Sequence, residues 1–443
     1  MQTARENRFV IKRFALALPL LLAASPLHAQ LAPVERKMAT AVEADQERPV
    51  ALLEKLVNQN SGTLNLEGVT KVGEMMRAEL EPLGFAVRWV PMGATGRAGH
   101  LIAVHKGNNR GKRLLLIGHL DTVFEKNSPF QRFERQGSKG IGPGAGDDKG
   151  GIVVMLMALR AMHAAGTLKD ADIEIVLTGD EEEAGDPVEI SRADLIAAGK
   201  RADVALDFEG LVIQDGRDMG SIARRSSSGW TVTVTASGGH SSGIFSKTVG
   251  DGAIYALAKI ISSFRTELPE PNLTFNVGLI AGGATAEVAE GGTVAASTGK
   301  TNIIPEIAIA RGDIRTLSDE QTERVRARMQ EIIARPSPGA AAEIEFSKHT
   351  YPAMAPTPGN RALLDRLNAV NRDLALPQMP ALDPLRRGAG DIAFVAKDVD
   401  GLVGLGPSST GDHAPGEAVD LDSFSRQAKR AAILMSRLSR ETR

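Results

Sequence analysis

The 443-residue chain contains no cysteine, so it forms no disulfide bond and offers no thiolate to a metal. A metal site in this chain must therefore be built from His, Asp and Glu. Net charge is also nearly absent, because 52 Lys and Arg stand against 54 Asp and Glu and leave −2. Such a balance gives no global field for nucleic acid or an anionic membrane. We expect a small-molecule or peptide substrate, and neither nucleic acid nor membrane as a partner.

Long hydrophobic runs are missing as well. After residue 30, no apolar stretch reaches the roughly 20 residues that a transmembrane helix needs. The apolar run Phe14–Ala24 is shorter, and four basic residues precede it within the first thirteen. That layout is typical of a secretory signal peptide, with a cleavage site at Leu27-His28-Ala29. The sequence therefore predicts a signal peptide at 1–29 and an exported, periplasmic or secreted protein; a retained N-terminal anchor is the alternative.

Strand and helix patterns alternate after a first region, 34–84, in which apolar spacing predicts two or more helices. This alternation predicts a doubly wound α/β sheet, and we assign residues 30–223 to the first part of a catalytic domain. The predicted strands are Phe85–Val90, Leu101–His105, Arg113–Ile117, Asp172–Thr178 and Val204–Asp207, with a helix at Gly151–Ala165.

The order of predicted elements changes near Ser226 and becomes strand, helix, strand, strand, helix, strand. This order is the split βαβ arrangement of a ferredoxin-like α+β module. Ser318, with Gln321 three residues later, marks the start of its second helix. We therefore predict an inserted domain at 224–350. Helical and apolar patterns after it predict that residues 351–443 complete the catalytic domain.

A His and an Asp follow the apolar run Leu114–Ile117, in the stretch Gly118-His119-Leu120-Asp121-Thr122. Side chains two apart on a strand point the same way. A strand that ends at His119 would place the imidazole at its carboxyl end, where open α/β sheets keep their active sites. Asp121 could then orient the imidazole. The plainer alternative is a core strand that ends at His119, with Asp121 opening a turn.

Four further clusters of acidic or imidazole groups follow strands or precede a helix. Each has a plain alternative as a helix cap, a solvated loop or a turn. Adjacent glutamates at a strand end can divide two tasks, since one can bind metal while the other takes a proton from water. The clusters are Asp147-Asp148 within the glycine-rich Gly142–Gly151, Asp180-Glu181-Glu182-Glu183, Asp207-Phe208-Glu209 and His413-Ala414-Pro415-Gly416-Glu417.

As a set, these motifs resemble the di-zinc metallopeptidase family that includes bacterial glutamate carboxypeptidase, aminoacylase and related dipeptidases, over essentially all of the mature chain. The resemblance implies two Zn²⁺ ions per chain. It also implies a cis peptide bond between Asp147, the aspartate that would bridge the two ions, and Asp148. Two alternatives stay open: Glu182 as base with Glu183 as ligand, and Asp207 in place of Glu209. The implied roles are zinc ligands His119 and Glu209 for one ion, Glu182 and His413 for the other, Asp147 as the bridge, Asp121 orienting His119, and Glu181 as the general base.

The resemblance also assigns residues of the inserted domain. His240, in Gly238-Gly239-His240-Ser241-Ser242, would reach the active site of a partner subunit and stabilise the oxyanion. Asn302 and Arg315 would hold the carboxylate of the substrate. These roles imply a homodimer formed through the inserted lid or dimerisation domain. A polar hairpin for His240 and a surface position for Arg315 are the alternatives.

The sequence thus predicts a zinc-dependent metallo-exopeptidase, a carboxypeptidase most like glutamate carboxypeptidase. It would hydrolyse the amide bond next to a free carboxylate in a peptide or an N-acyl amino acid. An aminoacylase or dipeptidase of the same family is the first alternative. A non-catalytic binding protein on the same scaffold is the second, and it would not need a complete metal site. Arg386 and Arg387 precede the loop Gly388-Ala389-Gly390-Asp391, which by the resemblance lies near a pocket loop of the family, and we hypothesise that they meet an acidic side chain of the substrate.

Overall fold

The computed structural model describes residues 31–289, 291–335 and 337–443. The predicted signal peptide at 1–29 lies outside the described residues. None of the helices in the described part combines the length and the apolar character that a membrane crossing needs.

Most α-helices of the described ranges agree with the helical patterns of the sequence, whereas the two short helices between residues 188 and 201 were not predicted. Three helices occupy the first region, where two or more were predicted. Each is amphipathic, and short connections at 45–46 and 59–65 separate them. In chain order they are α1 Pro33–Ala44, α2 Glu47–Asn58, α3 Leu66–Leu80, α4 Gly150–Ala165, α5 Val188–Ser191, α6 Ala193–Arg201, α7 Gly252–Glu267, α8 Asp319–Ile333, α9 Pro358–Asp373 and α10 Asp422–Leu438.

The strands of the central sheet and of the inserted sheet are numbered together in chain order. They are β1 Ala86–Pro91, β2 Gly99–His105, β3 Leu114–His119, β4 Ile173–Thr178, β5 Val204–Asp207, β6 Ser227–Ala236, β7 Thr274–Gly283, β8 Ile307–Arg315, β9 Ala340–Tyr351 and β10 Gly401–Leu402. Shorter strands pair elsewhere at Glu134–Gln136, Lys139–Ile141, Ile213–Gln214, Arg217–Asp218, Gly239–His240, Thr285–Val288, Ala295–Thr298, Ile303–Ile304, Ser409–Thr410 and Ala418–Asp420.

The central sheet has six strands in the order β1-β2-β4-β3-β5-β10. Strands β4, β3, β5 and β10 run parallel, whereas β2 is antiparallel to both of its neighbours. The predicted α/β fold is therefore confirmed, with a mixed rather than purely parallel sheet. The reason is the short connection between β1 and β2, which can join only antiparallel strands.

Helices cover both faces of this sheet, so all six residues of β3 are buried. Leu114 and Leu116 pack into the core formed with α4 and α10. Leu115 and Ile117 point the other way and pack with residues of α6. Two-sided burial explains why this strand is a continuous apolar run and not an alternating one.

The inserted sheet has four antiparallel strands in the order β7-β8-β6-β9. Alternate residues of β6 are buried under α7 and α8, and Trp230 meets Phe264 edge to face at 5.6 Å. The chain order β6-α7-β7-β8-α8-β9 is the predicted split βαβ pattern. Strand β9 continues to Tyr351, one residue beyond the predicted end of the inserted domain. The domain division at 223/224 and 350/351 stays a prediction.

Candidate metal centre and active-site cavity

The predicted site residues gather where β3, β4 and β5 end. Because parallel strands share one carboxyl edge, the groups that follow them meet there, as the sequence clusters predict. A cavity of about 860 Å³ opens at this edge. Its wall includes Asp147, Glu181, Glu182, Glu209, Arg224, Arg315, Tyr351, Arg386, Arg387 and His413.

His119 is the last residue of β3 and is fully buried. Its Nδ1 lies 3.3 Å from Asp121 Oδ1, and its Nε2 lies 3.0 Å from Asp147 Oδ1. The carboxylate of Asp121 also accepts hydrogen bonds from the Thr63 hydroxyl at 2.7 Å and from the backbone N–H of Glu181 and Glu182 at 3.0 and 3.1 Å. Asp121 is thus fixed by its neighbours and can hold the His119 ring in one orientation.

Asp147 lies between two imidazoles. Its Oδ1 faces His119, and its Oδ2 lies 3.1 Å from His413 Nε2. His413 Nε2 is also 3.1 Å from Glu182 Oε2. One oxygen or nitrogen atom each from His119, Asp147 and Glu182 lies within 4.8 Å of the others. This is the arrangement expected of a carboxylate shared between two metal ions. The predicted cis peptide bond between Asp147 and Asp148 is confirmed.

The fifth predicted ligand, Glu209, makes different contacts. Its Oε2 lies 2.5 Å from Arg224 Nη1 and 3.4 Å from Arg387 Nη2. Asp207, the alternative ligand, accepts the N–H of Glu209 through Oδ1 at 3.0 Å, while its buried Oδ2 has no hydrogen-bond partner. Glu209 lines the cavity and Asp207 does not. The ligand role of Glu209 stays a prediction, and its position on the cavity wall favours it over Asp207.

The two registers of the glutamate cluster require different side chains to reach the cavity. Glu181 and Glu182 line the cavity, whereas Glu183 is exposed and pairs with Arg97 at 2.9 Å. Geometry therefore favours Glu181 as base and Glu182 as ligand. The other register would require the Glu183 side chain to leave Arg97.

Several carboxyl groups of the site are buried close together, and this burial shifts their pKa values. Burial raises the pKa of Glu182 and of Asp207 to about 7 each, and raises the pKa of Glu181 well above its usual range. Hydrogen bonds to Asp147 and Glu182 raise the pKa of His413 to about 11. Although burial lowers the pKa of His119, its hydrogen bonds with Asp121 and Asp147 raise it well above the ordinary value.

Protonation of His119 and His413 would supply positive charge beside these carboxylates. Divalent cations would supply it better, because neutral imidazole nitrogens and carboxylate oxygens are the donors that zinc takes. In the described residues, the buried Glu182 Oε1 has no hydrogen-bond partner. The residues present therefore fit a metal centre.

Glu417 was noted in the sequence only as part of a cluster, without a role. It is buried, and its Oε1 accepts the backbone N–H of Gly146 at 2.7 Å and of Asp147 at 3.1 Å. It therefore fixes the loop that carries Asp147, the predicted bridge. The one sequence signal was its spacing of four residues after His413.

The three predicted site residues of the inserted domain differ in whether they line the cavity. Arg315 ends β8 and lines the cavity, with its Nε 3.1 Å from Asp313 Oδ2. His240 and Asn302 are exposed, and neither is among the residues that line the cavity of the same chain. They lie on two short strands that pair with each other, Gly239–His240 and Ile303–Ile304, or directly beside them. The roles of His240, Asn302 and Arg315 stay predictions.

The chain is similar to known proteins over most of its length. Residues 115–437 match the model of peptidase family M20/M25/M40. The chain is 27% identical over 399 residues to carboxypeptidase G2 of Pseudomonas sp. (strain RS-16), which covers 88% of this chain and 90% of that protein. It is 28% identical over 414 residues to succinyl-diaminopimelate desuccinylase of Acidiphilium cryptum (strain JF-5), covering 90% of this chain and all of that protein (100%).

Among solved structures, a dinuclear metal-binding peptidase of the M20 family from Bacillus subtilis superimposes with a TM-score of 0.61 at 15% identity, covering 89% of this chain and 98% of that one. This likeness confirms the fold. The family match confirms that the chain is a hydrolase and agrees with its resemblance to metallopeptidases. With most of its length matched, the chain belongs to peptidase family M20/M25/M40.

Proposed function

We propose that the protein is a carboxypeptidase that uses two Zn²⁺ ions per chain and hydrolyses the amide bond next to a free carboxylate. The observation that carries this proposal is Asp147, whose two oxygens face His119 and His413 while Glu181 and Glu182 share the same cavity wall. His119 and Glu209 would hold one ion, Glu182 and His413 the other, and Asp147 both. The family match supports a metal-dependent peptidase or amidohydrolase in general, and the name of the Pseudomonas relative supports carboxypeptidase activity.

Glu181 and Asp121 then have defined tasks in the reaction. When bound, zinc supplies a Lewis acid for the scissile carbonyl oxygen and lowers the pKa of water. Glu181 accepts the proton of the attacking water and returns it to the leaving amine. Its burial raises its pKa, which favours uptake of a proton from the attacking water. Asp121 keeps the His119 ring in place throughout.

Arginines supply the substrate contacts. Arg315, Arg386 and Arg387 line the cavity, and guanidinium groups bind carboxylates through paired hydrogen bonds. We infer that Arg315 binds the free carboxylate beside the scissile bond. In the described structure the Arg386 side chain is exposed without an ion pair or hydrogen bond, and the buried Arg387 Nε has no partner. These two are placed to receive an acidic side chain. An aminoacylase or dipeptidase is the alternative, and the desuccinylase name of a relative favours N-acyl amino acids.

A homodimer is proposed on the exposure of the inserted domain. Strand β7 is an edge strand, and it exposes Ile280 to 60%, while Ile254 of the neighbouring α7 is 43% exposed. An apolar edge strand is a ready template for pairing with another chain. The exposed His240 and Asn302 on the same domain would then serve the active site of the partner.

Export is proposed on the first residues alone. A basic start, a short apolar run and the site at Leu27-His28-Ala29 support cleavage of 1–29. N-terminal sequencing of protein isolated from its source cells should find Gln30 first, and a retained Met1 would contradict this.

Replacing Glu181 by Gln should abolish turnover and leave the metal in place. The amide cannot accept the water proton, so kcat should fall roughly 100- to 10,000-fold, while Glu182 and the other ligands are unchanged. Metal analysis should find about two zinc ions per chain in both proteins, as a two-metal site requires. A chelator should stop hydrolysis by the parent protein, and zinc should restore it.

The matched control is Glu183→Gln, which removes an exposed neighbouring carboxylate. It should retain hydrolysis, and loss of zinc in this variant would favour the alternative register. Turnover by Glu181→Gln at the parent rate would remove Glu181 from its role. A purified protein without any metal would refute the metal centre.

Replacing both Arg386 and Arg387 by Ala should reduce the preference for a C-terminal Glu substrate over its Gln counterpart. Loss of a charged hydrogen bond predicts a drop of roughly tenfold or more in that ratio of kcat/KM. Exposed Arg361, away from the cavity, provides the charge control as Arg361→Ala. A ratio that the double replacement leaves unchanged would disprove the acidic-side-chain role.

Mixing two inactive variants tests the dimer. Glu181→Gln lacks the base, and His240→Ala lacks the group proposed to act across the interface. In a two-fold dimer, a mixed pair has one site with both groups, so random exchange should restore activity at about a quarter of all sites. A mixture that stays inactive, or an active protein that sediments as a monomer, would overturn the proposal.

A further inference from the structure

Tyr351 joins the inserted domain to the loop that carries the proposed base. It is the last residue of β9, and its hydroxyl donates a hydrogen bond to the backbone carbonyl oxygen of Glu181 at 2.6 Å. Glu181 belongs to the loop after β4 of the central sheet. A single side chain of one domain thus fixes the main chain of the other at the site itself.

The peptide unit between Glu181 and Glu182 is held from both sides. Its carbonyl oxygen accepts the Tyr351 hydroxyl, and its N–H, on Glu182, donates to Asp121 Oδ2 at 3.1 Å. The side chains on either side of this peptide are the proposed base and a proposed ligand. Because a peptide unit is planar, its tilt sets the directions in which both Cβ atoms leave the chain.

Arg192 fixes Tyr351 in turn. Its Nη2 donates to the Tyr351 hydroxyl oxygen at 2.8 Å and to the backbone oxygen of Asp180 at 2.9 Å. Its Nη1 and Nε pair with the carboxylates of Asp180 at 2.6 Å and Asp391 at 2.7 Å. The guanidinium is fully buried, and its rigid fork fixes the angles between these four partners.

The ring of Tyr351 is packed independently of its hydroxyl. It lies edge to face against Phe394, with ring centres 5.1 Å apart, and the Arg192 guanidinium is 5.7 Å from its centre. Removing the hydroxyl alone therefore leaves the ring in its place. What changes is the hold on the Glu181 carbonyl.

We propose that Tyr351 and Arg192 are positioning residues for the general base. They fix the Glu181–Glu182 peptide so that Glu181 faces the reacting water when β9 of the inserted domain is seated against the central sheet. This inference rests on the proposed function only in taking Glu181 as the base.

The test is Tyr351→Phe in the full-length, zinc-loaded protein. A misdirected base should lower kcat roughly 10- to 100-fold, because small displacements of a catalytic group have effects of that size. KM and zinc content should stay close to those of the parent, and the melting temperature should fall by no more than the few degrees that loss of one buried hydrogen bond causes. Tyr255→Phe is the matched control, since Tyr255 is the other of the two tyrosines in the sequence and is exposed.

A double variant shows through which group Tyr351 acts. If the hydroxyl works only by placing Glu181, adding Tyr351→Phe to Glu181→Gln should lower the residual rate no further. Arg192→Lys, which keeps the charge but loses the fork, should lower kcat in the same way as Tyr351→Phe.

The outcomes separate this inference from the proposed function. Parental turnover by Glu181→Gln would overturn both. An inactive Glu181→Gln together with parental kcat in Tyr351→Phe would overturn only the positioning role. Loss of zinc, a raised KM or a melting temperature lowered by more than one hydrogen bond explains would also overturn it, because the hydroxyl would then support the fold and not the base. Full additivity in the double variant would do the same.

Discussion

The carboxylate of Asp147 is shared between two imidazoles, and most of the site is built around that contact. His119 reaches it from the end of β3, and His413 from a loop almost 300 residues later in the chain. Glu417 fixes the backbone N–H of Asp147, and Asp121 fixes the ring of His119. The loop of Asp147 and the ring of His119 thus have separate supports, and such supports orient the groups of a metal site.

Buried negative charge is the second constraint. Acids that would be exposed in most proteins are enclosed here, and burial raises the pKa of Glu182 to about 7. Such groups are stable in a protein when opposite charge accompanies them. Around Glu209 that charge is the buried guanidinium of Arg224, and around Asp147 it would come from protonated imidazole rings. The chain belongs to a metal-dependent family, and metal cations held by these residues would supply the positive charge in place of imidazole protons.

The inserted sheet contributes side chains to the cavity at the edge of the central sheet. Arg315 brings a guanidinium to the cavity, and Tyr351 brings a hydroxyl to the Glu181 carbonyl. Both residues end strands of the four-stranded sheet, so their positions follow from how that sheet sits beside the central one. The sequence places Tyr351 just outside the inserted domain, because the prolines after it indicate a boundary. In the structure β9 continues through it, paired with Ser227 of β6.

Local pattern determined much of this protein. Apolar runs and their spacing predict β5 with both ends correct and most other large elements to within a few residues, because burial on one or two faces imposes a period. The motif residues His119, Asp121, Asp147, Glu181, Glu182 and His413 stand out in the sequence as a set, and the resemblance to a known family supplied their predicted roles. Tertiary structure decided the rest. Arg192 pairs with Asp180 and Asp391, Arg224 with Glu209, and Tyr351 with Glu181, and these contacts join segments that carry no shared local signal. Periodicity reports which face of an element is buried, but not which distant charge or hydroxyl it meets there.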